Sequence, residues 1–167
     1  MLVGILMGSD SDWDKIKNVV KTLDEFGVEC EVNVMSAHRT PDLVKNYVDT
    51  AELRGISILI CAAGGAAHLA GVVASHSILP VIGIPVQTDF CNGLDSLLST
   101  VQMPGDIPVA TVGVGEGGAR NAALLAIQIL ALNDKNLQQK LHDFRKSLIQ
   151  KINDKNTKLK NKIASKN

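Results

Sequence analysis

Apolar and polar positions along the chain switch repeatedly between two periods. Residues 2–7, LVGILM, are a short apolar run that predicts a buried strand, and the loop GSDSD follows it. Over residues 12–26, Trp13, Ile16, Val19, Val20, Leu23 and Phe26 recur every three to four residues, one stripe of a helix that Gly27 ends. Residues 28–35, VECEVNVM, alternate with period two, as a half-buried strand does. The loop SAHRTP then puts Thr40 at an N-cap and Pro41 at the first helical position of a helix running to about Arg54, with Gly55 closing it. ISILICAA (56–63) predicts a buried strand, and residues 66–77 a helix opened by Gly64 and Gly65. PVIGIPV (80–86) is a strand, 93–102 a helix, IPVATVGV (107–114) the last strand and 119–132 a helix.

Strands that alternate with helices along the whole length predict a parallel sheet covered on both faces. Five strands at this size point to an α/β fold of flavodoxin-like type, a doubly wound three-layer αβα sandwich with strand order 2-1-3-4-5. A helix from Asp134 carries Leu137, Leu141, Phe144, Leu148 and Ile152 at helical spacing, a C-terminal extension of the fold. Residues 1–152 are expected to be a single domain, and 153–167 a Lys- and Asn-rich tail. The helix over 119–132 is apolar on nearly every face. In the outer layer of a small domain such a helix requires cover from another subunit, so a homo-oligomer is expected.

Composition narrows the partners. The 167 residues hold 17 Lys+Arg and 17 Asp+Glu, which argues for no nucleic acid or other polyanionic partner. Aromatics are only 3%, which leaves little to stack bases. Cys30, Cys61 and Cys91 are an odd number without C-x-x-C spacing and read as reduced thiols of a cytoplasmic protein. No signal peptide or membrane span is expected, because the first apolar run is short and lacks the flanks of a leader. No Cys/His cluster or H-x-x-x-H spacing occurs, so no metal site is expected.

In a doubly wound sheet, ligands bind beyond the carboxyl ends of the strands. The loops at that edge are GSDSD (8–12), SAHRTP (36–41), AGGAAH (63–68), QTDFCNG (87–93) and GEGGARN (115–121). GSDSD opens a helix. It suits an anion, with Asp12 able to accept from ribose hydroxyls, and it equally suits plain capping by Ser9, Asp10 or Ser11. Arg39 offers a planar fork for a phosphate. His38 is the candidate general acid/base, since imidazole titrates near neutrality, and His68 lies among small residues that would not screen it. GVGEGG (113–118) matches G-x-G-x-x-G formally, but no strand follows to complete a βαβ unit. It reads as a glycine turn approached closely by another chain or a ligand.

MGSDSDW (7–13), SAHRTPD (36–42), AGGAAHLAG (63–71), LPVIGIPVQ (79–87), DSLLSTVQMP (95–104) and NAALLA (121–126) together resemble the PurE family of purine biosynthesis, in family order over about residues 2–135. SAHRTP and AGGAAHL resemble its mutase branch. The resemblance implies conversion of 5-(carboxyamino)imidazole ribonucleotide to 4-carboxy-5-aminoimidazole ribonucleotide without a cofactor, by decarboxylation and recarboxylation, in an octamer. It further implies that His38 is catalytic and that Ser9, Asp12 and Arg39 hold the nucleotide, with Ser11 and Ser36 beside them. Gly64, Gly65, Ala66, Ala67, His68 and Leu69 would form the loop near the migrating carboxylate. The chain departs from the family pattern at TDFCN (88–92), at Glu116 and in the Lys-rich tail. The alternatives are a carboxylase using 5-aminoimidazole ribonucleotide and CO2, or a non-catalytic flavodoxin-like module. A receiver would need an Asp ending strand 3, where this chain has AAGGAA, and an FMN carrier more aromatics than Trp13 and Phe90.

Overall fold

A computed structural model describes residues 1–165. The chain divides into two compact units, Met1–Leu130 and a second from Ala131 onward.

The first unit is built on five strands: β1 (Leu2–Met7), β2 (Glu29–Val34), β3 (Ile56–Ala63), β4 (Val81–Pro85) and β5 (Ala110–Thr111). They form one parallel sheet in the order β2-β1-β3-β4-β5, the expected flavodoxin-like arrangement. The central strands are buried on both sides, which is why β3 and β4 are apolar at consecutive positions. β2 lies at an edge, and its alternation does not carry the valines inside: Cys30, Glu31 and Asn33 are half-buried, while Val32 and Val34 are exposed.

The helices are α1 (Trp13–Ile16), α2 (Asn18–Phe26), α3 (Pro41–Asp49), α4 (Leu69–Ser75), α5 (Leu94–Val101) and α6 (Glu116–Ala131). Val44 and Val48 of α3 and Leu69, Ala70 and Val73 of α4 bury against Leu6, Leu59 and Cys61 on one face of the sheet. α5 joins that face: Gly83 of β4 has no room for a Cβ beneath Thr100 and Ala70. α2 and α6 are joined by Arg120, which donates to Thr22 (3.3 Å) and Glu25 (2.9 Å).

Three expectations are corrected in detail. Residues 12–26 are not one helix. A 3-10 turn (Asp10–Asp12) leads into α1, and α2 follows after a turn at Lys17, through which hydrogen bonding continues. Trp13 leaves the apolar stripe and is 39% exposed, while Ile16, Val19, Leu23 and Phe26 fill the core. The last strand shrinks to two residues, because Pro108 has no N–H to donate and glycines follow from Gly113. Gly27 ends α2 with φ 71°, a left-handed cap that glycine adopts without strain.

In the second unit, Asp134 caps α7 (Lys135–Ala164) by accepting from the N–H groups of Asn136 (2.8 Å) and Leu137 (3.0 Å). Among the described residues, no helix is long and apolar enough to cross a membrane.

Candidate active site

Strand register brings the loops together. Met7 pairs with Val34 on one side and with Ala62 on the other, and Ala63 pairs with Pro85. β1 to β4 therefore end level, and their following loops enclose one cavity of about 580 Å3, a volume suited to a small-molecule ligand.

The SAHRTP loop is closed on itself. Ser36 N–H donates to Thr40 Oγ1 (2.9 Å), Thr40 Oγ1 donates back to the Ser36 carbonyl (3.1 Å), and Arg39 N–H donates to Ser36 Oγ (3.2 Å). Thr40 does stand at the N-cap of α3, but its hydroxyl is spent on Ser36 rather than on the helix. This closure aims the two residues at its tip. Arg39 Nη2 donates to the Gly8 carbonyl (2.7 Å), which ties the loop to the end of β1. His38 Nε2 lies 2.9 Å from His68 Nδ1, with the rings edge to face. That contact needs one N–H and one lone pair, so the two nitrogens cannot both carry protons. While it holds, at least one of the two rings is neutral.

GSDSD turns tightly at the other wall. Ser9 Oγ accepts from Ser11 N–H (3.3 Å), and the two hydroxyls lie 2.8 Å apart. Both readings of this loop therefore coexist, since Ser9 caps the 3-10 turn while Ser9, Ser11 and Asp12 line the cavity. Asp12 is 9% exposed. Burial raises its carboxyl above the ordinary pKa, Lys15, a Ser9 backbone hydrogen bond and Arg39 oppose the rise, and Asp10 adds to it.

In the third loop Gly64, Ala66, His68 and Leu69 line the cavity. Gly65 and Ala67 do not. Gly65 has φ 69°, its N–H receives no ligand because it donates to Ser96 Oγ (2.9 Å), and its carbonyl accepts from Ser99 (3.1 Å). Ala67 is buried. Sequence reasoning did not single out Lys15, Gln87, Thr88 or Asp89, which line the same cavity. A signal was present for each: Lys15 lies one helical turn after Asp12, and the other three open the loop after β4. Among the described residues, no three of His, Cys, Asp and Glu gather as a metal-holding group.

The family model described as AIR carboxylase matches residues 2–151. The N5-carboxyaminoimidazole ribonucleotide mutase of Bacillus subtilis is 54% identical over 151 residues, 90% of this chain and 93% of that protein. The mutase of Pyrococcus horikoshii is 50% identical over 158 residues, 95% of this chain and 88% of that protein. The crystal structure of Treponema denticola PurE superposes with a TM-score of 0.84 at 32% identity, covering 95% of this chain and 98% of that one.

Proposed function

The chain belongs to the AIR carboxylase family, and we infer that it is an N5-carboxyaminoimidazole ribonucleotide mutase, an isomerase of purine biosynthesis. It moves the carboxylate of its substrate from the exocyclic nitrogen to ring carbon C4. The observation that carries this reading is one cavity in which an arginine and a serine-rich turn stand beside a paired imidazole.

We propose the roles from the family resemblance, which that geometry supports. Arg39, Ser9 and Ser11 hold the phosphate through charged and hydroxyl hydrogen bonds, with Ser36 shaping the loop that carries Arg39. Asp12 accepts from the ribose hydroxyls. Gly64, Ala66, His68 and Leu69 enclose the migrating carboxylate, and Gly65 and Ala67 give that loop its shape.

The reaction balances without a cofactor. The bond from nitrogen to the carboxylate breaks, leaving CO2 and an aminoimidazole whose nitrogen has gained a proton. C4 then attacks the retained CO2, and C4 loses a proton. One proton arrives and one departs, so a single imidazole, His38, serves as acid and then base. His68, in contact with His38 Nε2, fixes which nitrogen bears the proton. Small apolar walls keep CO2 beside the ring. The test is to supply each candidate substrate alone. The carboxyamino ribonucleotide should give product without ATP, and turnover only of the aminoimidazole with CO2 would make the protein a carboxylase.

The assembly is proposed as a homo-oligomer, an octamer by the PurE resemblance. Leu94, Leu98 and Val101 stand half exposed at i, i+4 and i+7 of α5, beside Phe90 at 71% exposure, and Leu124, Leu125 and Ile129 of α6 are only partly buried. Burying such a stripe favours association by about 25 cal/mol per Å2. Sedimentation at micromolar concentration should show a stable oligomer, and a monomer there contradicts the proposal. The catalytic domain is taken as residues 1–152 and the tail as 153–167, a division supported by a family match that ends at residue 151. A cytoplasmic setting is proposed from the three free thiols.

A further inference from the structure

We propose that Lys15 is a positioning residue of this site: it straps the start of α1 to the loop after β4 and holds a positive charge beside Asp12. The inference rests on the ribonucleotide reading given above, and no part of the family resemblance assigns Lys15 a role.

Geometry comes first. Lys15 follows Asp12 by three residues and so shares its helical face. Its ammonium donates to the backbone carbonyl of Gln87 (2.7 Å), a residue 72 positions away in the loop after β4. Both residues line the cavity with Ser9, Asp12 and Arg39. The remainder of that loop is anchored on its own far side, where Thr88 Oγ1 donates to the Asp95 carboxylate (2.9 Å). Beyond it Cys91 and Asn92 adopt left-handed backbone, with φ 50° and 51°. Lys15 is thus the link that crosses from the first loop to the fourth.

Charge is the second element. Asp12 is almost fully buried, and an ionised carboxylate there is costly unless cations face it. Lys15 and Arg39 face it favourably, a Ser9 backbone hydrogen bond supports it, and Asp10 opposes it. His38, His68 and Asp89 also line the cavity. Of the two cations, Lys15 acts on Asp12 more strongly than Arg39, whose guanidinium is bonded to the Gly8 carbonyl. Lys15 is exposed, yet it combines a bond to a distant backbone carbonyl with a buried acid one turn away.

The test compares wild type, Lys15→Met and Lys15→Arg. Methionine keeps much of the apolar stem and removes the charge, whereas arginine keeps the charge and a donor. For Lys15→Met, KM for the carboxyamino ribonucleotide should rise about tenfold with kcat within about twofold, the scale of one charged hydrogen bond. The acid limb of kcat/KM should move to higher pH, and Lys15→Arg should restore most of the loss. A second arm needs no substrate: carbon-13 NMR titration of the Asp12 carboxyl in the ligand-free protein should move upward in Lys15→Met. An unchanged KM, an unmoved Asp12 titration, or a fall in kcat without a rise in KM overturns the proposal. Should wild type fail to use the carboxyamino substrate, the functional reading falls, and the NMR arm still decides the role of Lys15.

Discussion

The His38→Asn variant should lose at least about 10²-fold, and up to about 10⁴-fold, in turnover while still binding the ribonucleotide, since general acid/base groups contribute on that scale. Asparagine keeps roughly the volume and a polar tip but cannot exchange a proton near neutral pH. The groups proposed to hold phosphate and ribose, Ser9, Asp12 and Arg39, stand elsewhere in the cavity and remain. His68→Asn is the comparison. It leaves the proton carrier in place and removes the ring that touches it at 2.9 Å, so its loss should be smaller than that of His38→Asn. Arg39→Ala should show the opposite split. It removes a charged donor, so nucleotide affinity should fall by about 1.5–3 kcal/mol with the fold intact. Steady-state kinetics with calorimetric binding reads all three. Near wild-type turnover in His38→Asn, with activity abolished in His68→Asn, would reverse the assignment.

Gly118→Ala should be the most damaging single methyl in the chain. Gly118 is buried in the first turn of α6, and a Cβ there would be driven into the carbonyl oxygen of Gly113, far inside van der Waals contact. The obstacle is backbone, so no rotamer change can relieve it. The cost should reach about 3 kcal/mol, the upper range of overpacking, or about 10 °C in Tm for a chain of this size. Gly117→Ala is the control: nothing lies within 4 Å of its Cβ position, and in a helix alanine is favoured over glycine by roughly 0.5–1 kcal/mol. Thermal unfolding of the two variants should differ in sign, and equal Tm values would refute the close approach.

GVGEGG shows what a motif carries and what it does not. Its spacing resembles a dinucleotide turn, yet the close approach at Gly118 is made by the chain's own Gly113. The fold itself was legible because burial is written in apolar periodicity. ISILICAA became β3 at its expected bounds, the parallel sheet followed from alternation of strand and helix, and the order 2-1-3-4-5 from five strands at this size. Trp13 was misplaced because its spacing fits the apolar stripe although the 3-10 turn before it rotates α1 away from an ideal helix. The end of β5 was hidden by branched residues that favour a strand even where Pro108 and the glycines cannot sustain pairing.

The candidate site was legible by loop and not by contact. Position after a strand singled out His38, Arg39, Asp12 and the AGGAAH segment. Nothing in spacing says that His38 and His68, 30 residues apart, meet at 2.9 Å, or that Lys15 reaches Gln87. Those pairings depend on strands ending in register and on the Ser36–Thr40 closure, which are tertiary facts. Gly65 likewise belongs to the loop that the resemblance sets near the carboxylate, whereas its N–H is engaged by Ser96, a residue of α5 far along the chain.

Transfer of the carboxylate from nitrogen to C4 is proposed to take place within one cavity. It is tested by following substrate carrying carbon-13 in the carboxyamino group through turnover in unlabelled bicarbonate, with carbonic anhydrase present to dilute any CO2 that escapes. The expected result is that 4-carboxy-5-aminoimidazole ribonucleotide retains the label in its new carboxylate, without ATP. Product that instead carries unlabelled carbon from solution would contradict it, because CO2 would then be drawn from the solvent rather than held beside the ring.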